Sequence, residues 1–239
     1  MTTRKKEEIS AATAALAGHD GFSLISNEKL IELYRMLVRC RNGNAGSRSA
    51  WLGCEAALVG VAADLTAEDT VVYSGAGFPS ELVKGGARRS RPIGDAIEAA
   101  LNAAEAHLKD GKGRIAVLFA AEGQGSAALW VEAISKAAAG RLPVIFVSQS
   151  GEGAPPISEE IAQKAAQCEL PAIPVDGSDL VAIYRVATES LGHARKGNGA
   201  TFIGCGETGG AEAIAKMEAY LDRKGLFSQK LKREVAAGK

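Results

Sequence analysis

The sequence carries no net charge. Lys+Arg and Asp+Glu each number 28 in 239 residues, so nothing in the balance advertises a nucleic acid, an acidic membrane surface or an electrostatically steered partner. No Cys-x-x-Cys pair occurs among Cys40, Cys54, Cys168 and Cys205. That argues against a zinc site and reads the thiols as small core residues of a reducing compartment. No apolar run approaches the length of a membrane span. The mixed-charge start, Met1-Thr-Thr-Arg-Lys-Lys-Glu-Glu, lacks the apolar segment of a secretory signal. A soluble, cytoplasmic protein is expected, and the absent net charge, which gives little protection against association, favours a homo-oligomer. Internal repeats and long low-complexity linkers are missing too.

Catalytic groups are scarce. His19 lies in a polar N-terminal stretch, and His107 and His193 lie late in two expected helices, where a histidine suits the helix dipole without further function. None follows a strand, and no Ser-His-Asp or Cys-His arrangement can be assembled.

What is present is a long alternation of helices and apolar strands. With 46% hydrophobic and 23% charged residues the chain is long enough for one large α/β domain. Residues 1–25 read as a polar, alanine-rich arm, and 26–239 as a single α/β domain. Ser26 and Asn27 can cap a helix with Leu30, Ile31, Tyr34, Leu37 and Val38 on one face. Cys54 to Ala63 is short, apolar and expected to be buried. Thr70 to Tyr73 reads as a strand, Lys84 to Pro92 as a loop, and Ile93 to Lys109 as a long helix stopped by Asp110-Gly111. Strands are then expected at 115–120, 143–147, 172–175 and 201–205, with helices at 126–139, 158–168, 179–196 and from Ala211. Strands without polar alternation, separated by helices, predict a doubly wound α/β fold with a mostly parallel sheet covered on both faces.

Two stretches follow such strands: Ala121-Glu122-Gly123 and Ser148-Gln149-Ser150-Gly151. Open α/β sheets hold ligands at these strand ends. The glycines of Gly123-Gln124-Gly125-Ser126 let a backbone approach a ligand, and free N–H groups at a helix start favour an anion. The same residues also suit a tight turn with Ser126 as helix cap. Glu122 suits a metal ligand, a general base or an anchor for a helix end. Arg88, Arg89 and Arg91 form a cationic cluster suited to a phosphate or to plain solvation. The loop from Gln149 to Pro156 reads as a lid or a long connection.

Several segments are more specific. They are Leu30-Ile-Glu-Leu-Tyr-Arg-Met-Leu-Val-Arg, Gly53-Cys-Glu-Ala-Ala, Glu132-Ala133, Arg141-Leu-Pro-Val-Ile-Phe-Val147, Val175-Asp-Gly177 and Lys216-Met-Glu-Ala-Tyr-Leu-Asp-Arg-Lys-Gly-Leu226. In this order they resemble the α subunit of thiamine-diphosphate-dependent 2-oxo acid dehydrogenases, the decarboxylating first component of pyruvate- and branched-chain-type complexes. The resemblance implies a thiamine-diphosphate-binding fold that presents the diphosphate half of a cofactor site, with a β-type subunit supplying the rest. It implies thiamine diphosphate and Mg²⁺ as cofactors, held through a Gly-Asp-Gly motif and a later Asn. Alignment on Leu142-Pro143 puts Glu122 at the Asp, as the metal position, and Gly151 at the Asn. The cofactor-facing positions are then Tyr73, Glu122, Gly123, Gly125, Ser126 and Gly151.

The chain departs from the family at these positions. Tyr73-Ser74-Gly75-Ala76-Gly77-Phe78 stands where the family has Tyr-Arg-x-His-Gly-Phe, so Ser74 replaces a diphosphate-contacting arginine and Ala76 a histidine. Glycine- and histidine-containing loops between Gly77 and Ile93, and after Phe202-Ile203, are missing. Drift would erode core and site alike, whereas here the scaffold is intact. The expectation is an α-subunit-like protein without conventional cofactor binding or catalysis, structural or regulatory in role, paired with itself or a β-type subunit. The alternatives are a divergent active oxidoreductase in which Glu122 holds the metal through a water, and a module binding another anion at Gly123–Ser126.

Overall fold

The computed structural model describes residues 25–44, 49–121, 124–151, 153–206 and 210–238. The expected N-terminal arm, apart from Ile25, lies outside them. In chain order the elements are α1 (Asn27–Asn44), α2 (Glu55–Ala62), β1 (Thr70–Ser74), β2 (Ala87–Arg89), α3 (Ile93–Asp110), β3 (Ala116–Ala120), α4 (Ala127–Ala139), β4 (Val144–Gln149), α5 (Glu159–Gln167), β5 (Ala172–Val175), α6 (Leu180–Arg195), β6 (Thr201–Cys205), α7 (Gly210–Arg223) and α8 (Gln229–Ala236). A single turn of 3-10 helix, Ser80–Leu82, lies between β1 and β2.

The strands form one sheet in the order β2-β1-β3-β4-β6-β5, and every neighbouring pair is parallel. β3 and β6 are buried at every position, which is why β3 is a continuous apolar run and β6 carries one polar residue, the buried Thr201. Strand alternation sorts these residues into two layers. Val71, Val117, Phe119, Ile145, Val147 and Ile203 pack with α1, α2, α6, α7 and α8. Val72, Leu118, Phe146 and Phe202 pack with α3, α4 and α5. From β3 to β4 to β5 the chain moves in one direction across the sheet; from β5 to β6 it steps back. Right-handed crossovers that reverse direction must place their helix on the opposite face, and α6 does so.

The helix ends follow local chemistry. Ser126, Ser158, Asp179 and Ser228 each accept a hydrogen bond from the backbone N–H three residues on, satisfying donors that the helix cannot. The face of α1 that reaches the core comprises Leu30, Leu33, Tyr34, Leu37 and Cys40; Ile31 and Val38 flank it, half-buried. α2 is buried throughout, including Glu55, whose carboxylate lies 3.0 Å from an Arg41 guanidinium nitrogen. Lys216 of α7 lies 2.8 Å from Asp176, just after β5. Burial pushes the Asp176 carboxyl up, but hydrogen bonds from Lys216 and Ser178 outweigh it and hold it at about 2.

One expectation is corrected. The segment 84–92 is not all loop, because Ala87–Arg89 pairs with β1 as an edge strand, in register Val71 with Ala87 and Tyr73 with Arg89. Short, charged edge strands resist pairing with other chains, and that charge conceals them from a hydrophobicity-based reading. The pairing also splits the arginine cluster, since Arg88 and Arg89 point to opposite faces.

Candidate functional site

From β1 the chain turns to the outer strand β2, whereas from β3 it runs the other way, to β4. The segments that leave their paired carboxyl ends therefore diverge, which marks the switch point where doubly wound sheets hold ligands in a crevice. Three turns surround it, following β1, β3 and β4. Ladder pairing of Tyr73 with Phe119 and of Ala120 with Ser148 brings these ends level.

After β1, Ser74 is buried and Gly75 adopts φ +135°. A Cβ on Gly75 would lie 3.0 Å from the Ala121 Cβ and 3.2 Å from Nε1 of Trp51. The Trp51 indole therefore lies directly against the turn. It is fixed there by hydrogen bonds from the residues before it: Ala50 N–H donates to Ala76 O at 3.0 Å, and the Ser49 hydroxyl donates to Gly77 O at 2.9 Å. Trp51 meets Phe78 and Phe119 edge-on, with ring centroids 5.4 and 6.4 Å apart, and Tyr73 stacks on Phe78 at 4.4 Å. Such edge-to-face and stacked pairs add to the burial they provide.

After β3, Ala121 N–H donates to Ser74 O at 3.2 Å, and Gln124 N–H closes a turn onto Ala121 O, also at 3.2 Å. Glu122 and Gly123 lie outside the described residues. Gly125 has φ +88°, and a Cβ there would come 2.6 Å from Nε1 of Trp130, so only glycine fits this turn without strain. Ser126 caps α4 by accepting the Leu129 N–H at 3.4 Å.

After β4, the Gln149 carboxamide donates through Nε2 to Gly206 O at 2.5 Å, and Ser150 N–H donates to Cys205 O at 2.9 Å. Gly151, half-buried, accepts the Ala154 N–H at 3.0 Å. Three buried polar atoms around the crevice have no hydrogen-bond partner among the described residues: Trp51 Nε1, Gln149 Oε1 and Ser150 Oγ.

The fold thus gathers Tyr73, Gly125, Ser126 and Gly151 at one sheet edge. Among the described residues of these turns, from 73 to 78, at 121, from 124 to 126 and from 148 to 151, none carries a charge. Arg88, Arg89 and Arg91 are exposed on and beside the outer strand. Sequence reasoning missed Trp51, because a tryptophan in a connecting segment has no periodicity to mark it.

The histidines are elsewhere. His19 lies outside the described residues, and His193 is half-buried in the last turn of α6. His107 does not simply cap a dipole: it is buried at the opposite, amino-terminal edge of the sheet, with Nε2 2.8 Å from the Thr70 hydroxyl. Cys40, Cys54 and Cys205 are buried and Cys168 is half-buried, all as free thiols. Burial pushes Cys205 up to about 12, and burial with the Glu55 charge does the same to Cys40. No helix among the described residues is long and apolar enough to cross a membrane.

Comparison with known proteins is consistent with this architecture. The family model for the dehydrogenase E1 component matches residues 86–206, the span from β2 through β6. The α subunit of acetoin:2,6-dichlorophenolindophenol oxidoreductase from Bacillus subtilis (strain 168) is 30% identical over 164 residues, covering 64% of this chain and 48% of that protein. The pyruvate dehydrogenase E1 component subunit alpha of Staphylococcus aureus (strain Mu50 / ATCC 700699) is 35% identical over 118 residues, covering 46% and 32%. The match therefore spans about half, or less, of the length of these curated relatives.

Proposed function

The chain belongs to the dehydrogenase E1 component family, and on that premise we propose that it is an α-subunit-like member that has lost conventional thiamine diphosphate and Mg²⁺ binding. Its role is structural or regulatory, in the cytoplasm, exercised by pairing with itself or with a β-type subunit. The observation that carries this reading is that no described residue of the turns after β1, β3 and β4 carries a charge.

The described residues do not fit a metal–diphosphate group. A diphosphate brings several negative charges, and taking them from water without cationic partners is prohibitively unfavourable. Ser74, buried beside the crevice, supplies no charge where the family resemblance implies an arginine. Mg²⁺ asks for oxygen ligands in near-octahedral geometry at about 2.0–2.1 Å. Gly151 offers no side-chain oxygen, and the Ser126 hydroxyl is engaged in capping α4. Free N–H groups at the start of α4 remain anion-friendly, but they supply no metal ligand.

One feature favours a second reading. Glu122 immediately follows Ala121, at the carboxyl end of β3, so a carboxylate has been kept in this segment. In a divergent active oxidoreductase it would hold the metal through a water. Replacing Glu122 by Ala would then abolish turnover of a 2-oxo acid in the presence of a β-type subunit.

Thermal unfolding separates the two. A ligand that binds only the folded state raises Tm increasingly with its concentration. The proposal expects no shift with millimolar thiamine diphosphate and Mg²⁺, with or without a β-type subunit. A concentration-dependent rise overturns it.

A further inference from the structure

Two of the unpartnered atoms in the crevice are complementary and lie on one side of the sheet. The Trp51 indole N–H is a donor only, and Trp51 is 2% exposed. Gln149 is 6% exposed, and its carboxamide orientation is fixed by chemistry: Gly206 O can only accept, so Nε2 faces it and Oε1 is the free end. Ala121 lies between the two. It continues β3 one residue beyond Ala120, whose ladder partner is Ser148, so Gln149 is its lateral neighbour. The would-be Cβ of Gly75 lies 3.0 Å from Ala121 and 3.2 Å from Trp51 Nε1, which ties the indole to the same spot. Ala121, Phe119 and Val147 share the core layer of Trp51, and alternation from Val147 places Gln149 on that side as well.

A buried donor and a buried acceptor, both unsatisfied and flanking a methyl group, form an incomplete polar site. No charged side chain accompanies them among the described residues of the three turns. We propose that the crevice over Ala121 binds a small uncharged amide-type molecule, whose carbonyl accepts the Trp51 indole N–H and whose N–H donates to Gln149 Oε1. This inference rests on the reading of the crevice as lacking a diphosphate-binding set, and supplies the ligand chemistry that the lost charges leave possible. An anion is disfavoured there by the free carbonyl oxygen of Gln149 and by the absence of a cationic side chain among the described residues of the three turns.

Propionamide and propionate are nearly the same shape and differ in charge, so they serve as probe and control. In ¹H–¹⁵N spectra of the full chain, the Trp51 indole signal is assigned with Trp51→Phe, which leaves only the Trp130 signal. The expected result is a saturable shift of the Trp51 signal with propionamide, none with propionate, and an unmoved Trp130 signal. Gln149→Met, read through the same Trp51 signal, binds propionamide about tenfold more weakly, as loss of one buried hydrogen bond implies. No saturable shift, an equal response to propionate, or undiminished affinity in Gln149→Met overturns the inference. Where thiamine diphosphate with Mg²⁺ also fails to bind, only the amide site falls; where it binds, the underlying reading falls too.

Discussion

Arg195 and Asp69 form a two-point ion pair, with guanidinium nitrogens 2.9 and 2.7 Å from the two carboxylate oxygens. It ties the end of α6 to the residue preceding β1, 126 positions away. The Asp69 carboxylate is wholly buried and also accepts from Thr66 N–H, the Thr66 hydroxyl and Ile115 N–H. Removing Arg195 leaves that carboxylate buried without its counter-charge. Arg195→Met is expected to cost about 3–5 kcal/mol by urea unfolding. The double variant Asp69→Asn/Arg195→Met should cost less than the sum of the single changes, because the stranded charge has gone.

Two groups at the amino-terminal edge make stability fall with acid. Burial pushes Asp69 up, but hydrogen bonds from Arg195 and Thr66 outweigh it, so its folded pKa lies below the ordinary value. Its stabilisation is complete above the unfolded pKa, about 3.9, and is lost as pH falls below that. Burial and the nearby Arg114 charge lower His107, against opposing pulls from Asp69 and Asp110. The folded state therefore prefers neutral His107, and that preference is eroded as pH falls below about 6.5. Nδ1 has no partner among the described residues, consistent with an Nε2–H donating to Thr70. His107→Gln should flatten the loss of Tm between pH 7 and pH 5.5 while leaving the steeper loss near pH 4.

The turn over Trp51 depends on Gly75. A side chain there must accept φ +135° and press on both Ala121 and the indole. Gly75→Ala is expected to destabilise by about 1–3 kcal/mol and to change Trp51 fluorescence. An unchanged spectrum with wild-type stability would contradict the packing described.

Two helix ends carry avoidable strain. Arg141 (φ 47°) and Glu169 (φ 52°) follow α4 and α5 in left-handed conformation. The next residues, Leu142 and Leu170, donate back to Ala137 O and Ala165 O at 2.9 Å. This hydrogen-bond pattern normally uses glycine at the left-handed position. Arg141→Gly and Glu169→Gly should each change stability by no more than about 1 kcal/mol, in the stabilising direction, because the relief of strain exceeds the entropy glycine adds to the unfolded chain.

How much of this was legible in the sequence depended on whether the cause was local. The buried strand β3 is an unbroken apolar run, and Ser126, Ser158 and Asp179 announce their helices through capping chemistry; all were readable. β2 was not, because Ala87-Arg88-Arg89 is charged and gains its strand character only by pairing with β1. The partnership of Asp69 with Arg195, and the burial of His107 beneath Thr70, arise from contacts between elements that no spacing rule encodes. At the crevice, the resemblance to a family located the turns, and the glycines explained how they bend. The indole of Trp51 lying against Gly75 came only from the three-dimensional arrangement.

The central claim is that this scaffold has kept its fold and lost its diphosphate site. Isothermal titration of the full chain with thiamine diphosphate in the presence of Mg²⁺ tests it most directly, alone and with a β-type subunit. A parallel titration would use the variant Ser74→Arg/Ala76→His/Glu122→Asp/Gly151→Asn, which restores the side chains that the family resemblance implies. The account predicts no binding heat for the natural chain and saturable binding for the variant. Micromolar binding by the natural chain would contradict it.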